Sequence, residues 1–210
     1  MTRKKTILLP IAYLPPVSWF SLLLKHPVRI EQHETYQKQS CRNRCLIYSE
    51  RGILPLSIPV SKPNGNHTLT SEVEIYNDEK WYLKHWRAIR SAYEASPYFL
   101  YYKDEFKDFY NGRFEKLFDF NMQLILKLCE IMEIHPQISF TGKFEKDPAD
   151  TIDLRNTFSP KKPPSYPFPG YMQVFSSRHG FLPDLSVPDL LFNLGPESKN
   201  YLAGIEHKLY

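Results

Sequence analysis

Proline placement constrains this chain more than any other feature. The sequence carries 18 prolines in 210 residues, many of them inside or at the ends of its apolar runs. A proline within a helix removes a hydrogen bond and clashes with the preceding turn, at a cost of about 3 kcal/mol or more. The stretch from Ile7 to Leu24, preceded by Arg3, Lys4 and Lys5, has the charge and apolarity of a signal peptide, but Pro10, Pro15 and Pro16 interrupt it. Lys25-His26 stands where a small-residue cleavage site would be, and the run is too broken to span a membrane as a helix. It reads instead as a strand over Ile7–Ala12, a turn at Tyr13–Pro16 and a helix over Val17–Leu24. Pro15 and Pro16 suit that helix start, where an N–H is not needed.

The rest of the chain is punctuated in the same way. Val28–Gln32 predicts a second strand followed by a polar loop. Cys45–Ser49 and Ile53–Val60 flank Glu50-Arg51-Gly52 and predict a hairpin, with Pro59 marking an edge or an end of its second strand. Val73–Tyr76 predicts one more short strand. Lys80–Ala95 lacks Gly and Pro and carries Trp81, Leu83, Trp86, Ile89 and Tyr93 on a helical face, ended by Ser96-Pro97. Phe106–Tyr110 is a short aromatic run, and Arg113–Glu133 keeps the 3.6-residue period of a long helix. Ser159–Gly170 (SPKKPPSYPFPG) predicts a Pro-rich loop or extended spacer. Tyr171–Phe175 predicts an extended segment, and Asp184–Asn193 a small helix begun by Ser186 and Pro188. The pattern predicts a mixed α/β fold, one domain over residues 1–210. A small sheet would combine an N-terminal strand–helix–strand unit with a hairpin, beside a helical central region.

Net charge is +4, and the cations are scattered among acids, as in Lys103-Asp104-Glu105-Phe106-Lys107-Asp108. Nucleic-acid surfaces concentrate Lys and Arg into a patch or stripe, so no nucleic-acid partner is expected, whereas an anionic small molecule suits this balance. The odd cysteine count (Cys41, Cys45, Cys129) argues against a secreted disulfide framework, and with no second Cys/His pair at zinc spacing no metal site is expected. Nucleotide-loop, nucleophile-elbow and zinc-helix motifs are absent, and the sequence assigns no cofactor.

Four clusters carry candidate chemistry. Glu31–Arg44 (EQHETYQKQSCRNR) crowds long donors behind the second strand. Lys38, Arg42 and Arg44 have the charge to grip phosphate or carboxylate, and Tyr36, Gln39 and Asn43 the groups to orient a sugar or base. A solvated loop is the plain alternative. His85-Trp86-Arg87 puts a candidate acid–base histidine, His85, on a helix beside Arg87, a position equally suited to a structural imidazole. Ser96–Tyr102, with Tyr98, either lines a pocket or packs a turn. Gln173–Asn193 holds the second candidate catalytic histidine, His179, near Asp184 and Asp189. A thiol nucleophile at Cys41 or Cys45 is weaker than a buried inert thiol.

At these clusters the chain resembles the WbqC-like family. The resemblance lies in Tyr13–Phe20 (YLPPVSWF), Glu31–Cys45, Leu56–Lys62, His85–Tyr102, Phe118–Ile125 and Gln173–Ser198, in family order over nearly the whole chain. It implies a cytoplasmic bacterial protein of O-antigen or related surface-polysaccharide biosynthesis, working on an activated sugar, and it brings no catalytic residues. Many members begin His-Gln-Pro-Asn where Leu9-Pro10-Ile11-Ala12 stand here, and commonly carry Asn at the Asp184 position. The leading expectation is a small transferase acting on a nucleotide- or lipid-linked sugar. A non-enzymatic interaction protein of a glycan-assembly complex is second, and a Cys-dependent acyltransferase third. Expected partners are a nucleotide sugar, a second copy of the chain or glycan-assembly enzymes.

Overall fold

The computed structural model describes residues 5–149, 151–161 and 167–207. Arg3 and Lys4 of the N-terminal basic run, and residues 162–166 of the Pro-rich segment, lie outside them. The fold is mixed α/β, as the patterning predicts. Strand β1 (Thr6–Pro10) leads through helix α1 (Val17–Lys25) to β2 (Val28–Glu31), which pairs parallel to β1 with Ile7 opposite Val28. The hairpin forms from β3 (Arg44–Ser49) and β4 (Gly52–Ser57), with Gly52 at φ +96° closing the turn. Val60–Ser61 is a separate strand, β5, paired with β6 (Glu74–Ile75), because the chain turns at Ile58-Pro59 instead of continuing β4.

Helices α2 (Trp81–Tyr93), α3 (Phe99–Lys107) and α4 (Leu117–Ile131) make up the central region. Helix α3 replaces the short aromatic run expected near Phe106. Phe99 and Phe106, two turns apart, are buried, while Leu100 and Tyr101 face water. Helix α4 starts at Leu117, later than its apolar period suggests, because the preceding backbone is already used. Ile75 N–H donates to Glu115 O at 2.7 Å, and the Leu117 N–H donates to Val73 O at 3.0 Å.

Two strands complete the main sheet, β7 (Ile138–Phe140) and β8 (Thr151–Asp153), each parallel to its neighbour. Neither was expected from the sequence. Three residues carry too little periodicity to announce a strand, and these form because β2 and β1 offer unpaired edges. The remaining helices are α5 (Ser176–His179), α6 (Val187–Leu194) and α7 (Ser198–Gly204). Tyr171–Phe175, expected to be extended, joins no strand. Among the described residues no helix is long and apolar enough to cross a membrane.

The sheet order is β7-β2-β1-β8. The chain adds β2 and then β7 on one side of β1 before placing β8 on the other. Ile7, Leu9, Val28 and Ile30 bury one face together with α1, whose Trp19 donates Nε1–H to Pro10 O at 3.0 Å. The carboxyl ends of the strands are tied by charge. Glu31, fully buried at the end of β2, receives Arg155 from beyond β8 at 3.0 Å and the Thr141 hydroxyl from beyond β7 at 2.8 Å. Arg155 also holds Asp153 at 2.6 Å and Lys146 O at 3.0 Å. Removing one member of a buried pair leaves the other charge bare, at a cost of about 3–5 kcal/mol. Arg155→Ala is therefore expected to lower unfolding free energy by about that amount, read as a reduced urea midpoint.

Candidate functional site

The strand order reverses between β1 and β8. In open parallel sheets, ligand crevices form at the carboxyl ends of the strands at such a reversal. A cavity of about 340 Å³ opens there, within the size range of small-molecule sites. The residues after β1 (Leu14, Pro16, Ser18) form one wall, and those after β8 (Thr157 to Lys161) another. The turn before the hairpin contributes Cys41, the hairpin Arg44, Cys45, Leu46 and Ile53, and the turn before α6 Leu182 to Ser186.

Backbone hydrogen bonds fix these walls. Val17 N–H donates to Leu185 O at 3.0 Å, Val187 N–H to Pro15 O at 2.8 Å, and Ser186 N–H to Leu46 O at 2.9 Å. The Ser186 hydroxyl accepts from Leu46 N–H at 3.1 Å. The segment before α6 is thus stitched to both the α1 entry and β3. Two lining residues, Leu14 (φ +39°) and Asp184 (φ +54°), adopt the left-handed backbone region. Non-glycine residues held there cost of order 1 kcal/mol or more each, and such strain clusters at functional sites. Asp184 is anchored at the start of α1, where Ser18 N–H donates to Oδ1 at 2.7 Å and the Ser18 hydroxyl to Oδ2 at 2.8 Å. Burial outweighs these bonds and pushes its carboxyl up to about 7.

The structure separates the residues singled out in the sequence. Arg44 lines the cavity and donates Nε–H to Ser57 Oγ at 2.8 Å. Gln39, exposed, accepts from the lining Lys161 at 3.4 Å, and neighbouring Gln37 donates to Asn156 at 3.1 Å, so this loop rests on the segment after β8. Lys38 lies beside Lys62, whose ammonium is held below its usual range by partial desolvation and by that neighbour. Arg42 is fully buried and spent on Glu34 at 2.6 Å, with a longer bond to Arg155 O. Desolvation still raises the Glu34 carboxyl, against the pull of Arg42. The Asn43 amide donates to Ile58 O at 2.9 Å and steadies the end of the hairpin. Tyr36 is buried with its hydroxyl unpartnered among the described residues. Tyr98 packs its ring on Gly195, where a Cβ would stand 2.5 Å from the ring, and Arg87 is exposed on α2.

Neither histidine lines the cavity. His85 sits in an aromatic box, its Nδ1 bonded to the Tyr13 hydroxyl at 2.9 Å, with Tyr13 bonded on to Tyr110 at 3.1 Å and Trp81 edge-on at 5.1 Å. His179 is exposed beside the hairpin turn, bonded to Glu50 O at 2.9 Å, and Arg178 pairs with the Glu50 side chain. The lining thiols are buried, which pushes Cys41 up to about 11 and Cys45 to about 12, so neither forms a thiolate near neutral pH. Two lining residues escaped the sequence reading as ligand contacts. Lys161 lay in a stretch read as spacer, and Asp184 entered only as a companion to His179.

Burial lowers His85 from 6.5 to about 4. Between those values the unfolded chain binds a proton that the folded chain refuses, so stability falls as pH drops from 6.5 towards 4. The shift corresponds to about 3 kcal/mol. In urea titrations over that range, His85→Gln should lose this part of the acid sensitivity relative to wild type.

The WbqC-like protein family matches residues 12–159. The chain is 24% identical over 226 residues to an uncharacterized protein of Mycobacterium tuberculosis, Rv1507c, covering 95% of this chain and 97% of that protein. No solved structure matches it. The family's span takes in the turn after β1, the hairpin and the first residues of the lining segment after β8, and the chain belongs to the WbqC-like protein family.

Proposed function

We propose that this chain binds an anionic, activated sugar in the cavity at the carboxyl ends of β1 and β8, and acts as a small cytoplasmic transferase in surface-polysaccharide assembly. The observation that carries the reading is the placement of the cavity. It sits where the order of a parallel sheet reverses, with Arg44 and Lys161 in its walls. Arg44 meets phosphate oxygens through a planar fork, and Lys161 as a mobile point charge. Gln39, bonded to Lys161, extends the same rim. The apolar wall of Leu14, Leu46, Ile53 and Leu185 suits the flat or aliphatic part of such a ligand.

A second reading, a binding-only member of a glycan-assembly complex, is favoured by Leu100 and Tyr101, 69% and 77% exposed side by side on α3. Recovery of a glycosyltransferase by wild type, lost in a Leu100→Ser/Tyr101→Ser variant, would select it.

The test of the first reading is a thermal-shift screen with nucleotide sugars. A ligand at one hundred times its Kd adds about 2.7 kcal/mol to stability. Arg44→Ala and Lys161→Ala should each weaken binding roughly tenfold without lowering the melting temperature of the free protein. Unchanged affinity in both variants removes the phosphate-binding assignment.

A further inference from the structure

Among the described residues, one carboxylate lines the cavity, that of Asp184. An ionised carboxylate offers about four acceptor positions. Ser18 fills two, one on each oxygen, and no other donor among the described residues reaches this group. The Tyr201 hydroxyl feels the charge of Asp184 but donates to Pro169 O at 2.7 Å. Among the other lining groups, Arg44 donates Nε–H to Ser57 and the Ser186 hydroxyl accepts from Leu46, neither bonds Asp184, and the thiols are weak donors.

The carboxylate is also rigid. Two short bonds hold it to the first turn of a nine-residue helix, and its own backbone is held at φ +54°. A group pinned in this way, with unfilled acceptor positions, is preorganised to receive donors from a ligand. Burial raises its carboxyl to about 7, so it carries its charge above neutral pH. Phosphate offers it only repulsion, whereas the hydroxyls of a sugar ring offer paired donors at the spacing of its two oxygens.

We propose that Asp184 is the residue that recognises the hydroxyl groups of the sugar, while Arg44 and Lys161 hold the phosphates. This rests on the nucleotide-sugar reading above and assigns the two ends of that ligand to different walls of the same cavity. Asp184 serves as a positioning acceptor, and no proton transfer is required of it.

The experiment compares each nucleotide sugar of a panel (uridine, guanosine and thymidine diphosphate sugars) with its parent nucleoside diphosphate by calorimetry at pH 8.5, where the carboxylate is ionised. Asp184→Asn keeps an acceptor for Ser18 and tolerates the left-handed backbone, and its melting temperature serves as the folding control. The expected result is a loss of roughly tenfold or more for the sugar conjugate, with the parent diphosphate bound as by wild type or more tightly. Equal weakening of conjugate and parent, or no change in either, overturns the assignment while leaving the nucleotide-sugar reading in place. Failure of wild type to bind any conjugate overturns both. Asp184→Ala should reproduce the selective loss, and a conjugate bound normally by that variant would also refute the proposal.

Discussion

The buried Glu31–Arg155 pair is the contact on which the rest of this architecture depends. Glu31 ends β2 and Arg155 follows β8, with β1 running between them, so the pair spans the strand it flanks. Thr141, from the end of β7, donates to the same carboxylate, and Arg155 reaches the β7–β8 crossover through Lys146 O. The carboxyl ends of β2, β7 and β8 are thereby tied across β1 by one charge network. That tie sets where the chain leaves β1 and β8, and those exits are the walls of the cavity.

The same network accounts for the fate of the basic segment behind β2. Donor-rich side chains there read equally well as a ligand grip or a solvated loop, and the folded chain divides them between two duties. Arg42 turns inward to Glu34 and to the carbonyl of Arg155, extending the network, while Arg44, two residues on, projects from β3 at the cavity. Arg42 lies in the turn before β3 and Arg44 is the first residue of the strand, so the two arginines need not share a role. Asn43 between them bonds the hairpin backbone.

The cavity combines a stitched frame with local strain. Leu14 and Asp184 hold uncommon backbone conformations because the hydrogen bonds among Pro15, Val17, Leu185 and Val187 leave them no relaxed alternative. The cost is borne by an extensive apolar core, in which Trp19, Tyr13, Phe20, Phe120 and Phe192 are fully buried. His85 belongs to that core. Its bond to Tyr13 pins α2 to the turn after β1, so this imidazole supports a wall of the site from behind without reaching into it.

Local sequence determined the elements whose signals are local. Prolines bound the β1–α1–β2 unit, glycine closes the hairpin, and unbroken apolar periods specify α2 and α4, because each depends on backbone and side-chain preferences within a few residues. The resemblance of the polar clusters to the WbqC-like family was also legible. Tertiary structure alone decided the rest. Strands β7 and β8 exist only by pairing with β2 and β1, and helix α4 loses its expected first turn to β6. Arg44, Lys161 and Asp184 come from three distant stretches of chain, and only the reversal of strand order brings them to one cavity. A charged side chain in sequence carries its chemistry but not its partner, and the partner decides whether that charge is spent on the fold or left for a ligand.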